Sequence, residues 1–278
     1  MIGLSSLIKT PIFLILISKI NSSFKILSYP ESGWHRVDSD IVTIFFHTDP
    51  IPNKDNPSHR HSDLLSFVFY YKTEPIFIDV GRLNYNLNDS LGEYGYSGRA
   101  HNSVVIDGFE AQAGINNRKF PDFYRHSHVS TEYNLDSEIF EFIIRHNGFC
   151  RLYGKKIKHT RSFSLSNEHF IIEDNLTGGN VHEIKTYFHC APNLGLSKIS
   201  DENYLICTKN TNSQQNKFQF SYNNNLSKKF DSEVFKGKSD GLGWHFPAYN
   251  KKEKISSLVF SQNINLPIIN TFTLKWDN

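Results

Sequence analysis

The stretch SHRHSDLLSFVFYY, residues 58–71, sets His59, His61 and Asp63 at alternate positions ahead of an apolar run. Imidazoles and carboxylates grouped in this way can hold a metal ion, move a proton or simply pair with one another. Left unpartnered at the mouth of a buried strand, each would be costly. In extended backbone, residues two apart face the same side, so His59 and His61 aim at one place. The same parity runs through Leu65, Phe67, Phe69 and Tyr71, which predicts a polar mouth leading onto a buried face.

Two further stretches carry complementary chemistry. PIFIDVG, 75–81, sets Asp79 among Ile76, Phe77, Ile78 and Val80, and the short KTEP connection would return this strand beside 64–71 and bring Asp79 near His61. SGRAHNSVVIDG, 97–108, puts His101 just before another apolar strand. Two imidazoles and a carboxylate from three strands make a plausible metal site with a position left for water or a ligand. On residue types and spacing alone, a satisfied cluster without metal is the commoner reading, because a histidine at a strand end is usually a satisfied surface or core residue.

The elements that must position these groups read as strands. Of 278 residues, 14% are aromatic, dominated by 23 Phe and 13 Tyr, a composition that favours pleated sheet. Short β-forming runs recur at 41–48, 64–71, 75–81, 102–108, 138–146, 159–166, 169–176, 182–191, 217–222 and 256–263, with turn clusters between them. This predicts an all-β, antiparallel β-sandwich of many short strands over residues 31–278, without a second folded domain or a fixed repeat. Residues 1–30 read as a stub: PIFLILIS at 11–18 has the length of a signal-peptide core without an A-x-A-like cleavage site, and is too short to span a bilayer. A remnant of an upstream region or a buried strand fits it as well.

A net charge of +2 gives nucleic acid no electrostatic footing. Cys150, Cys190 and Cys207 are odd in number and lack paired spacing, so they read as small buried side chains.

Taken together, SHRHSDLLSFVFY, EPIFIDVGRLNYN and GRAHNSVVIDG resemble the C-terminal domain of heparinase II/III-like polysaccharide lyases, a β-supersandwich. The family pattern is H-x-H-x-D-x-L-S-F, a strand ending D-x-G with a Tyr shortly after, and A-H-N-[ST]-V-x-V-D-G. It is met by His59, His61, Asp63, Leu65, Ser66 and Phe67, by Asp79, Gly81 and Tyr85, and by Ala100 to Val104, Asp107 and Gly108. The specific match covers about residues 56–110. The resemblance implies that His61, Asp79 and His101 are zinc ligands and that His59 is a catalytic histidine beside the metal. It further implies β-elimination on an acidic, uronate-containing polysaccharide such as a glycosaminoglycan, alginate or an exopolysaccharide. A base removes the proton α to the carboxylate and an acid assists departure of the glycosidic oxygen.

The family also places a helical toroid ahead of this domain, which supplies the catalytic Tyr. No stretch here has the helical hairpins of a toroid, so the chain is expected to be incomplete alone, working with a separate toroid-bearing chain or serving as a non-catalytic carbohydrate-binding or structural module. Periplasm or cell envelope is the location the family suggests. A cupin-type barrel would need Glu soon after the H-x-H pair, where Leu64 and Leu65 stand. Around the site, Arg99, Tyr85, Trp244 and Tyr249 are candidate substrate contacts, since aromatic faces stack on sugars. Asp63 is a candidate for orienting a histidine. YRHSHV, with His126 and His128, lacks a matching carboxylate strand and reads as a polar surface.

Overall fold

The architecture comes from a computed structural model. The structure describes residues 24–29, 32–48, 61–86, 88–111, 129–136, 138–151, 157–208 and 215–277. His59, the apolar run 11–18 and the His126/His128 pair lie outside them.

The first sheet is a meander of β1 (Lys25–Tyr29), β2 (Trp34–Asp38), β3 (Val42–His47), β4 (Phe67–Tyr71) and β5 (Glu74–Phe77), each antiparallel to the next. Alternate positions of β3 and β4 are buried, as their apolar residues require. Strand β1 pairs with β2 along its whole length and Phe24 enters the core, so the sheet takes in residues that the sequence assigned to the stub. Strand β4 starts only at Phe67. Leu64 and Leu65 form a turn in which Leu65 takes φ 66°, so His61 is not carried on β4 and the parity argument stops there. Strand β5 likewise ends at Phe77, two residues before Asp79.

After β6 (Val104–Ile106), the chain builds β7 (Val129–Leu135), β8 (Phe140–His146), β9 (Lys158–Leu165), β10 (His169–Thr177) and β11 (Val181–His189). It continues through β12 (Leu194–Lys198), β13 (Asn203–Thr208), β14 (Lys217–Asn224), β15 (Asp231–Phe235), β16 (Trp244–Ala248), β17 (Lys251–Lys254), β18 (Ser257–Asn265) and β19 (Ile268–Trp276). An eight-stranded sheet runs β12-β13-β14-β19-β10-β9-β8-β7, a four-stranded sheet runs β15-β18-β11-β6, and β16-β17 is a separate hairpin.

The result is an antiparallel β-sandwich. Both smaller sheets face the eight-stranded one through phenylalanines. Phe67 and Phe69 of β4 meet Phe170 of β10, while Phe188 of β11 meets Phe220 and Phe272 of β14 and β19. Ring pairs of this kind add to plain area burial. The two smaller sheets join where β5 reaches the end of β11: Phe77 bridges Cys190, Ile78 N donates to His189 O, and Ala191 N donates to Ile76 O. Since β6 also lies along β11, the segment 78–103 leaves and returns at one edge. Asp79, Tyr85, Arg99 and His101 sit on that excursion, while His61 approaches it from the turn ahead of β4. Cys190 is buried, Cys207 half-buried and Cys150 exposed. Among the described residues no helix is long and apolar enough to cross a membrane.

Candidate functional site

Three devices hold the excursion in place. The first is Asn102, fully buried, whose side chain donates to Phe67 O at 2.8 Å and Ile78 O at 3.1 Å and accepts from His189 N at 2.8 Å. Its backbone N–H donates to Ser66 Oγ. One amide thus ties together β4, the exit of β5 and the end of β11. The second is Arg161 on β9, also fully buried, whose Nη1 donates to Leu65 O at 3.0 Å and Asn102 O at 2.7 Å. The third is the short helix α1 (Ser90–Tyr94), which gives the segment 85–99 a capped turn; the Asp89 side chain accepts from Leu91 N.

On this frame His61, Asp79 and His101 come together. His101 is completely buried, and its Nδ1 lies 2.6 Å from Asp79 Oδ2. Asp79 Oδ1 accepts from Gly81 N at 2.9 Å. The His61 ring sits 5.4 Å from that of His101, centroid to centroid, and edge-on to Tyr96 at 5.1 Å. Burial alone would push the Asp79 carboxyl up, but the His101 charge and hydrogen bond, with the Gly81 N–H, outweigh it and hold it well below the carboxylate range. Burial lowers His101, yet Asp79 overrides it and raises the imidazole above its ordinary value. His61 has no such partner among the described residues, and burial followed by the nearby His101 lowers it to about 4. Asp63 stands outside this trio: its Oδ1 lies 3.1 Å from His47 Nδ1, so the aspartate does face a histidine, but one on β3.

Of the buried side-chain atoms among the described residues that lack a well-formed hydrogen bond, two are nitrogens on His101 and His189. Among the described residues His101 Nε2 has no hydrogen-bond partner, and His189 Nε2 makes no well-formed hydrogen bond. Orphaned buried groups are rare in proteins, and each needs an explanation. His189 is fully buried, donates or accepts at Nδ1 with Ser257 Oγ at 2.8 Å, and is lowered to about 3 by burial and then by His101. By type the three residues fit zinc, and the His101 nitrogen is of the kind a metal would satisfy. As placed, Asp79 and His101 bond to one another, and no three His, Cys, Asp or Glu side chains among the described residues form a ligand set for one ion.

The expected substrate contacts divide. The β16–β17 hairpin docks on the chain just past Asp79: Phe246 N donates to Val80 O, Gly81 bridges Phe246, and Asn250 N donates to Leu83 O. Gly81 has φ +72°, and a Cβ there would meet Phe246 O at 2.7 Å, so only glycine lets the hairpin approach. The docking brings Tyr249 against Tyr85, with rings 6.1 Å apart. Trp244 is held locally, its Nε1 donating to Lys238 O just ahead of the hairpin and the Lys252 ammonium 4.7 Å over its ring. Arg99 is paired, with Nη1 3.2 Å from Asp240 Oδ2 and Nη2 donating to Asp240 O.

Reasoning from sequence misses Asn102, His189 and Arg161 as site-builders. Asn102 is visible in AHNS as a motif position. His189 and Arg161 carry no local signal, because what they touch lies far along the chain.

The fold is thus a sandwich of antiparallel sheets with a buried His/Asp cluster where two sheets join. The chain belongs to the family "Heparinase II/III-like, C-terminal", whose profile matches residues 22–272. No curated protein matches the sequence. Among solved structures, the "Heparinase III-BT4657 gene product" aligns with TM-score 0.68 at 14% identity, over 90% of this chain and 36% of that one. Heparan sulfate lyase HepC from Pedobacter heparinus aligns with TM-score 0.65 at 13% identity, over 89% of this chain and 36% of that one. The chain therefore spans about a third of the length of these enzymes.

Proposed function

We propose that this chain is the β-sandwich portion of a heparinase II/III-type polysaccharide lyase, acting on uronate-containing polysaccharide by β-elimination, with zinc held by His61, Asp79 and His101. The observation that carries the reading is the convergence of these three residues, with a buried His101 nitrogen left unsatisfied, in a chain of this family. Bound there, zinc would supply positive charge and fix the local architecture.

The chain's own residues supply the rest. Asp79 orients His101 and holds its Nδ1; Asn102 and Arg161 fix the backbone on which these side chains stand. His59 is assigned the catalytic histidine role. In the reaction, a base takes the proton α to the uronate carboxylate, a carbon–carbon double bond forms, the glycosidic carbon–oxygen bond breaks and an acid protonates the leaving oxygen. Tyr85 and Tyr249 are assigned to the sugar, with Arg99 and Trp244 as outer contacts. The helical partner that completes the lyase is part of the same proposal.

Metal analysis of the purified chain tests the first half. We expect about one zinc per chain, lost in His61→Ala and Asp79→Ala; a metal-free wild type with both variants unchanged would overturn it. The second half is tested by following unsaturated uronate product on heparan sulfate, heparosan and alginate, with and without an added toroid-bearing lyase half. Absence of product under every condition would leave a non-catalytic module in its place.

A further inference from the structure

One cation beside the His61 cluster is built in without a counter-charge among the described residues. Arg36, Arg99, Arg145 and Arg161 each meet a carboxylate, at Asp38, Asp240, Glu132 and Asp174. Arg82 meets none among the described residues. Its guanidinium carbon lies 3.6 Å over the Tyr96 ring and 3.8 Å over the Tyr85 ring, and its Nε donates to Asn84 O at 2.8 Å. Two aromatic faces and one backbone bond fix the plane of the group and leave its terminal nitrogens without a protein acceptor among the described residues.

The surroundings say what such a fork would meet. On one side, Tyr96 continues edge-on to His61. On the other, Tyr85 stacks with Tyr249 at an interplanar angle of 29°, and these two side chains are 61% and 62% exposed. Tyr85 carries Arg82 on one side and backs Tyr249 on the other, so the exposed Tyr249 ring, held in place by this stack, offers apolar surface to a sugar ring. A planar guanidinium presents parallel N–H donors matched to a carboxylate, at roughly twice the strength of a neutral hydrogen bond. Tyrosine stacking also restrains the arginine before any ligand arrives, which lowers the ordering cost of binding.

We infer that Arg82 is a carboxylate-binding fork which, with Tyr85 and Tyr249, forms a subsite for an anionic sugar residue adjoining the His61 cluster. This rests on the reading of the chain as a handler of uronate polysaccharide, and it assigns the carboxylate to a residue that is not one of the specified positions of the family pattern. It gives Arg82 charge recognition and gives the tyrosine pair the face of the ring, so the two contributions separate by mutation.

The test is calorimetric binding of a heparosan hexasaccharide and of the same hexasaccharide with its carboxylates reduced to alcohols, to the full chain. Wild type is expected to bind the acidic form at least about tenfold more tightly than the reduced form. Arg82→Met should remove that preference, and Arg82→Lys, which keeps the charge over the rings but not the fork, should restore only part of it. Tyr249→Ala should weaken both ligands by similar factors. Unchanged preference in both Arg82 variants would overturn the assignment while leaving the acidic-polysaccharide reading intact. Equal wild-type binding of both hexasaccharides, or of neither, would overturn the two together. Arg82-dependent binding with no unsaturated product in any cleavage assay would uphold the fork and remove the lyase.

Discussion

Two of the histidine–aspartate pairs among the described residues are of nearly equal length and have opposite characters. His101 and Asp79 meet at 2.6 Å, His159 and Asp174 at 2.7 Å. The second pair is closed. Asp174, on β10, also takes Arg161 Nε and Nη2 at 2.7 and 2.8 Å, and His159 Nδ1 meets His146 Nε2 at 2.9 Å, whose own Nδ1 accepts from Gly148 N. Every nitrogen of His159 and His146 is satisfied. The first pair is open: among the described residues His101 keeps a bare buried Nε2, Asp79 is half-exposed, and His61 stands close by without a carboxylate bonded to it. A buried imidazole beside an aspartate therefore does not mark a functional site. What separates the two pairs is unmet hydrogen-bonding capacity, present at His101 and absent at His159. The closed cluster also serves the open one, since Arg161 spends its remaining donors on the carbonyls of Leu65 and Asn102.

The sharpest way to break that contrast is Arg161→Met. It strands the Asp174 charge in a site of zero exposure, and loss of one partner of a buried pair costs roughly 3–5 kcal/mol. A urea midpoint lowered by less than about 1 kcal/mol equivalent would show that the closed network is not what holds the frame. Asp79→Ala should cost less, roughly 1–3 kcal/mol for leaving His101 Nδ1 unpaired, while zinc content falls to background.

The pH response should separate the clusters by sign in chelator-treated protein. His101 is raised in the folded state, so its contribution is fully present below the ordinary histidine pKa and is lost as pH rises through the folded value. His159 is lowered by burial, despite Asp174, so the unfolded chain binds the extra proton and stability drops as pH falls below the ordinary value. Stability measured against pH should then lose slope on the alkaline side in His101→Gln and on the acid side in His159→Gln, by about 1.4 kcal/mol per pH unit for each proton. Slopes unchanged in both variants would remove the distinction. The smallest effect belongs to Arg99→Ala: its pair with Asp240 is exposed, worth well under about 1 kcal/mol, and acidic-oligosaccharide affinity should change only if Arg99 touches the sugar as proposed.

Much of this is legible in the amino-acid sequence. The period-two alternation of β3, β9 and β10 and the Phe-rich runs imply the sandwich, and the three motif fragments point to His61, Asp79 and His101. The strand 64–71 reads too long because LLSF is as apolar as VFYY after it; only the positive φ at Leu65 and the Arg161 hydrogen bond to its carbonyl reveal a turn. Strands β7 and β17, VSTEYNL and KKEK, are almost wholly exposed and leave no alternation to find. Arg82 escapes notice in the sequence because, although Tyr85 is three residues away, Tyr96 on its other face lies further along the chain and the carboxylate it lacks leaves no local signal.

The order of strands also bears on how the protein can be made. In the eight-stranded sheet, β19 lies between β10 and β14 and pairs with both. It is the last of the described strands to be synthesised, yet it fills the middle of the largest layer. Until residue 276 has left the ribosome, β10 and β14 each present a bare, apolar edge of the kind that recruits foreign strands. Chaperone protection during synthesis should thus matter most between the completion of β10 and that of β19. A ribosome stalled before β19 should yield a chain that aggregates through these two edges.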